Sequence, residues 1–185
     1  MTNAPEIAHF FTVVAEAKKE AEAARPFHAR LVLLSLLDVL SHAAHPSIVA
    51  NRARFVTFVD DYTQWSLSST FSLRQLHLRL SEPSAPSSIP GFSPLLAEVE
   101  RRMHAFPSPG TAVFPAGIDP SLDQLRTFLN PQLAKYIEPV RYPSLLWSLR
   151  NSVVHELRNL GEGFDFELGK ASPYYHRNLH VDGVT

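Results

Sequence analysis

An all-α fold is predicted, with an antiparallel core like a four-helix bundle, appended short helices, proline-rich loops and a short C-terminal tail. Three observations predict it. Apolar residues recur at helical spacing in successive segments, prolines stand where those segments start or break, and convincing strand alternation is scarce. The 185 residues are 45% hydrophobic and 19% charged, enough to bury one sizeable core. A single helical domain is therefore expected over 1–163, with 164–185 as a tail that forms a short hairpin or a wrapping arm.

The first helix is expected over 5–24. Pro5 suits a first helical turn, and Ile7, Phe10, Phe11, Val14 and Ala17 line one face opposite Lys18, Lys19, Glu20 and Glu22. Pro26 interrupts, and 27–45 follows with Leu31, Leu34, Leu37, Val39 and Leu40 and few charges, the pattern of a central, most buried helix. Pro46 and Ser47 restart the chain into a third helix that places Ile48, Phe55, Phe58, Val59 and Tyr62 on an apolar face and ends near Trp65. Residues 71–80 fit helical spacing and strand alternation alike, with helix favoured.

The segment Glu82 to Pro94 holds Pro83, Pro86, Pro90 and Pro94 among several serines and reads as an exposed loop. A short helix over 95–106, a second proline-rich loop from Pro107 to Pro120, and a helix over 121–137 bent or split at Pro131 are expected next. The last long helix starts at Pro143 and stops before Gly161, with Leu145, Leu149, Val153, Leu157 and Leu160 as its core stripe. Beyond it, Phe164 to Leu168 alternates like a strand that Tyr174 to His180 could pair with.

The composition also narrows the chemistry. A formal charge of -1 gives no global attraction to a polyanion, so nucleic-acid contacts have to come from local basic groups. With no cysteine in the chain, disulfides, thiolate zinc sites and cysteine nucleophiles are all excluded. Seven glycines and no Gly-x-Ser-x-Gly turn or phosphate-binding glycine loop leave dinucleotide, serine-hydrolase and nucleoside-triphosphatase readings unsupported. No basic start precedes an apolar run, and no apolar stretch is long enough to cross a bilayer, so no membrane association and a cytoplasmic location are expected.

The chemistry-bearing stretch is Arg150-Asn151-Ser152-Val153-Val154-His155 on the last long helix. Arginine keeps its charge at any biological pH and histidine exchanges a proton near neutrality, a combination suited to work on a phosphate. With 13 arginines and 9 histidines, a bare Arg-x4-His arises by chance roughly 0.6 times in such a chain, and a polar Asn, Asp or His after the arginine lowers that to roughly 0.1.

This Arg-Asn-x3-His element resembles the signature of the HEPN-domain superfamily, helical proteins that include metal-independent endoribonucleases and toxins. The resemblance implies a late-helix site in a helical bundle, no metal or other cofactor, an RNA substrate, a homodimer with a composite cleft, and in a toxin setting a protein antitoxin or regulator. It also implies the roles: His155 moves the proton as the RNA 2′-hydroxyl attacks the adjacent phosphate, and Arg150 holds the charge that develops there. Asn151 is expected to orient the histidine or donate to a phosphate oxygen. Arg158 and Arg54 are expected to contact the RNA backbone. A HEPN-like module that binds a nucleotide or protein without cutting is the alternative.

At about 100° per residue, Asn151, His155 and Arg158 share one flank, while Arg150 points about 140° from His155. The wheel therefore calls for a bent arginine side chain or a second copy to complete the pair. A structural reading competes, in which Arg150 pairs with a carboxylate such as Asp38 or Asp60 and His155 sits at a packing seam. Asp38, His42 and His45, at helical spacing, form a weaker candidate metal set.

Overall fold

The computed structural model describes residues 4–23, 26–105 and 118–155. Among these residues the elements are α1 (Ala4–Glu22), α2 (Pro26–Ala44), α3 (Asn51–Tyr62), α4 (Leu73–Leu80), α5 (Phe92–His104), α6 (Leu122–Leu125), α7 (Pro131–Ile137), a 3-10 turn (Glu138–Val140) and α8 (Tyr142–His155). The fold is all-α. Extended pairing among the described residues is limited to two isolated bridges, Thr70 with Ser121 and Phe71 with Arg141. The described residues divide into two compact units, the first drawing on those within 1–65 and 143–155, the second on those within 66–142.

The first unit gathers α1, α2, α3 and nearly all of α8, with α1 packed along α2 and α2 along α3. Its deepest apolar side chains come from α3, where Phe55 and Val59 are fully buried, and from Val153 of α8. The expectation that α2 is the most buried helix is corrected here. Among the described side chains of α2, Ala29, Leu34 and Ser41 are buried, while Leu33 and Val39 are 39% and 65% exposed. A run rich in leucine identifies a helix with apolar residues all round, but packing decides which side receives a neighbour. The third helix also starts later than expected: Pro46 to Ala50 precede it as a connection, so Ile48 lies outside the helical face.

The second unit is built round Phe71, Leu73, Leu76, Leu80, Phe92, Leu95, Val99, Leu125, Leu133, Ile137 and Val140. The competition over 71–80 resolves as helix because Ser72 caps it: its hydroxyl accepts from the Gln75 backbone N–H, while the Asp119 carboxylate accepts from that of Leu73 at 2.9 Å. The helix expected from residue 95 begins at Phe92 instead. Pro94 falls in its first turn, where the missing N–H has no acceptor to lose. The loop before it is only partly exposed, since Ala85 and Ile89 pack on the core.

Gly91 makes this start possible. Its φ is +86°, and a Cβ there would lie 2.1 Å from the Phe128 carbonyl oxygen. The region 121–137 is split near Pro131, as its sequence predicts: Ser121 and Gln124 form a reciprocal capping box for α6, and the Asn130 side chain accepts from the backbone N–H groups of Gln132 and Leu133 at the start of α7. Arg79 and Tyr136 tie α4 to α7 twice, Arg79 Nε donating to the Tyr136 carbonyl at 2.6 Å and the Tyr136 hydroxyl donating to the Arg79 carbonyl at 2.7 Å. The second proline-rich loop lies outside the described residues between 106 and 117. The helix stop before Gly161, the stripe positions Leu157 and Leu160, and the 164–185 tail with its expected hairpin also lie outside them.

Candidate active site

The site is assembled on α8 within the first unit. Val153 turns fully into the core and Ser144 is fully buried, which fixes the helix about its axis. That rotation leaves Leu145 and Leu149 only half-buried and sets Arg150 inward at 9% exposure, while His155 is exposed. The arginine thus starts in the packed interior and the histidine ends at the surface.

The 140° between their positions does not keep them apart. Arg150 Nη1 lies 2.6 Å from His155 Nε2 and donates to Asn151 Oδ1 at 3.0 Å. The flexible aliphatic stem of arginine lets the guanidinium sweep round the helix, which a wheel of backbone positions does not register. Of the two arrangements the wheel allowed, the bent arginine side chain is the one found, and Asn151 meets the arginine through its amide oxygen.

A third group comes from another helix. Arg150 Nη2 donates to Asp38 Oδ2 of α2 at 2.6 Å, closing an ion pair in which the arginine side chain is 10% and the aspartate 28% exposed. Ser41 Oγ donates to the Asp38 backbone carbonyl at 2.7 Å, a bond within the same turn of α2. The guanidinium also lies over Trp147, 4.9 Å from the ring centroid, and Trp147 in turn meets Phe55 of α3 at 5.3 Å. Arg150 Nε is buried and has no acceptor among the described residues.

These contacts define what the groups can do. A guanidinium has N–H donors and no acceptor, so Arg150 bonds to His155 only when Nε2 carries a lone pair and the imidazole proton is on Nδ1. The lone pair able to take a proton from a substrate hydroxyl therefore rests against the cation able to hold a phosphate. The cation is fixed by charge, by the Asn151 amide oxygen and by an aromatic face, a rigid setting for electrostatic work.

Other expected site residues fall elsewhere. Arg54 is 8% exposed and turned inward, donating to the Ile48 carbonyl at 3.2 Å and to Asn51 Oδ1 at 2.8 Å, so it braces the connection before α3. Arg158 lies outside the described residues. Arg101 and Arg102, a basic pair in sequence, both bond Glu98 at 2.7 Å. Asp38, His42 and His45 do not form a metal set: no group of three or more metal-capable side chains gathers among the described residues. Asp38 instead holds Arg150, while His45 Nε2 stands 3.4 Å from Asp61 Oδ2.

Of the carboxylates the structural reading offered, Asp38 and Asp60, it is Asp38 that pairs with Arg150. Sequence reasoning did not anticipate Trp147 beneath the guanidinium. Comparison with protein families, with curated proteins and with solved structures finds no match to this chain.

Proposed function

We propose that the protein is a HEPN-like, metal-independent endoribonuclease whose site is Arg150, Asn151 and His155 on α8. The observation that carries the reading is the 2.6 Å contact between Arg150 Nη1 and His155 Nε2, which puts a permanent cation and a proton-exchanging imidazole at one point. The four helices α1, α2, α3 and α8 would be the antiparallel bundle core that the resemblance implies.

In the proposed reaction the RNA 2′-oxygen attacks phosphorus, the bond from phosphorus to the 5′-oxygen breaks, and a 2′,3′-cyclic phosphate and a free 5′-hydroxyl result. The 2′-hydroxyl gives its proton to His155 Nε2, and the imidazolium returns a proton to the departing 5′-oxygen. Arg150 keeps Nη1 on Asn151 Oδ1 and gives its remaining N–H groups to the phosphate oxygens as negative charge builds there. An enzyme of this kind fits a toxin or defence component restrained by a protein partner. A homodimer that brings two copies of Arg150 and His155 to one composite cleft remains part of the proposal.

A second reading is favoured by the Asp38 ion pair: with Arg150 committed to a carboxylate, the same cluster would serve a helical module that binds a nucleotide or a protein without cutting. Incubating the purified chain with single-stranded RNA in EDTA separates the two. The nuclease reading expects fragments with 2′,3′-cyclic phosphate ends, and intact RNA over long incubation leaves the binding module.

A further inference from the structure

Arg150 is bonded unevenly. Among the described residues its Nη1 is used by Asn151 and His155, its Nη2 by a single oxygen of Asp38, and its Nε by none, although that atom is buried. Nε and Nη2 form the edge of a guanidinium that matches two oxygens of one carboxylate or phosphate. Asp38 fills half of that edge, since only Oδ2 engages it and Nε is left unpaired. A buried N–H without an acceptor is costly, so the edge is poised for an anion that supplies two oxygens.

We propose that Asp38 is a resident competitor for an oxyanion site on Arg150, and that a phosphodiester binds by displacing it to bond Nε and Nη2 together. Asp38 can leave at modest cost because its side chain is 28% exposed and can be rehydrated beside α2. Arg150 stays behind because Asn151 holds Nη1 and Trp147 lies against its face. The displacement gives specificity: a group offering one oxygen merely replaces Asp38, whereas a phosphodiester also satisfies Nε. It also makes the resting site closed to weak anions. The inference rests on the phosphate-directed reading of the site and adds to it the residue that regulates entry.

The test is binding, without cleavage. A fluorescein-labelled oligonucleotide with 2′-O-methyl groups throughout cannot supply the attacking hydroxyl, and its anisotropy reports affinity for the wild-type chain, Asp38→Asn, Asp38→Ser and Arg150→Gln. Removing the competing charge should tighten binding by about tenfold in Asp38→Asn and Asp38→Ser, while Arg150→Gln removes the gain when combined with either. Thermal melts confirm that each variant is folded, and two different replacements guard against one failing to fold. Unchanged or weaker binding by folded Asp38 variants overturns the proposal. If those variants bind no tighter but wild-type protein still cuts unmodified RNA, the competitor is wrong and the nuclease reading stands. If tightening occurs without any cutting of unmodified RNA, the competitor stands and the site binds without catalysis.

Discussion

Asp38 and Arg150 lie 112 residues apart in the chain, and their Oδ2 and Nη2 atoms meet at 2.6 Å. This contact joins α2 to α8 and makes the candidate site a property of the folded unit, although the motif that marks it is contiguous on one helix.

Removing the carboxylate should therefore destabilise the chain. Asp38→Ala leaves a nine-tenths-buried guanidinium with a second unsatisfied group beside Nε. Loss of one partner from a buried pair costs roughly 3–5 kcal/mol, and the partial exposure of Asp38 lowers the expectation to about 2–3 kcal/mol. Asp38→Asn keeps an oxygen acceptor for Nη2 and should cost less than half as much. Urea unfolding of both variants measures the difference, and equal losses would mean that the hydrogen bond contributes nothing beyond the charge.

Gly91→Ala tests the start of α5. The left-handed backbone costs a residue with a Cβ about 1–2 kcal/mol, and the Cβ would meet the Phe128 carbonyl at 2.1 Å, so the total loss should exceed 2 kcal/mol. The expected result is a lower unfolding midpoint in urea. A midpoint equal to wild type would show that the turn before Phe92 relaxes freely.

How legible each element was depends on what its residues report. Asn130-Pro131 announces a cap and a first turn together, and the split before α7 follows from it. Pro94 carries the opposite lesson: a proline can end a loop or occupy the first turn of a helix, and only the left-handed Gly91 before it reveals which. Exposure of Val39 and Leu33 was not readable, because an apolar run does not state how many neighbours the fold will supply. The motif on α8 was readable as residue types, but its geometry was not. A helical wheel gives the direction of each Cβ, whereas the contact between Arg150 and His155 depends on the reach of a long side chain and on Asp38 and Trp147 directing it.

Acid should weaken the chain in part through Glu98. Its carboxyl accepts from Arg101 and Arg102, and the hydrogen bond from Arg101, more than the bond from Arg102, holds its pKa down to about 2 against the upward push of burial. An unfolded glutamate titrates near 4.5, so the folded chain binds this proton less readily than the unfolded one. The stabilisation is present in full above about pH 4.5 and is lost as pH falls through about 2. Arg101 is 67% exposed, and solvent screening keeps the contribution below about 1 kcal/mol. Glu98→Gln should reduce the slope of unfolding free energy against pH between those limits; an unchanged slope would assign the acid sensitivity to other carboxylates.

The rate of RNA cleavage in EDTA by wild type, His155→Ala and Arg150→Lys decides whether Arg150 and His155 act together on RNA. His155 is exposed, so its replacement by alanine leaves the core intact, and lysine keeps the charge at Arg150 while losing the planar fork. Wild-type chain should yield 2′,3′-cyclic phosphate ends, His155→Ala should be slower by at least about 100-fold, and Arg150→Lys should fall well below wild type. Cleavage at the wild-type rate by both folded variants would contradict that joint action.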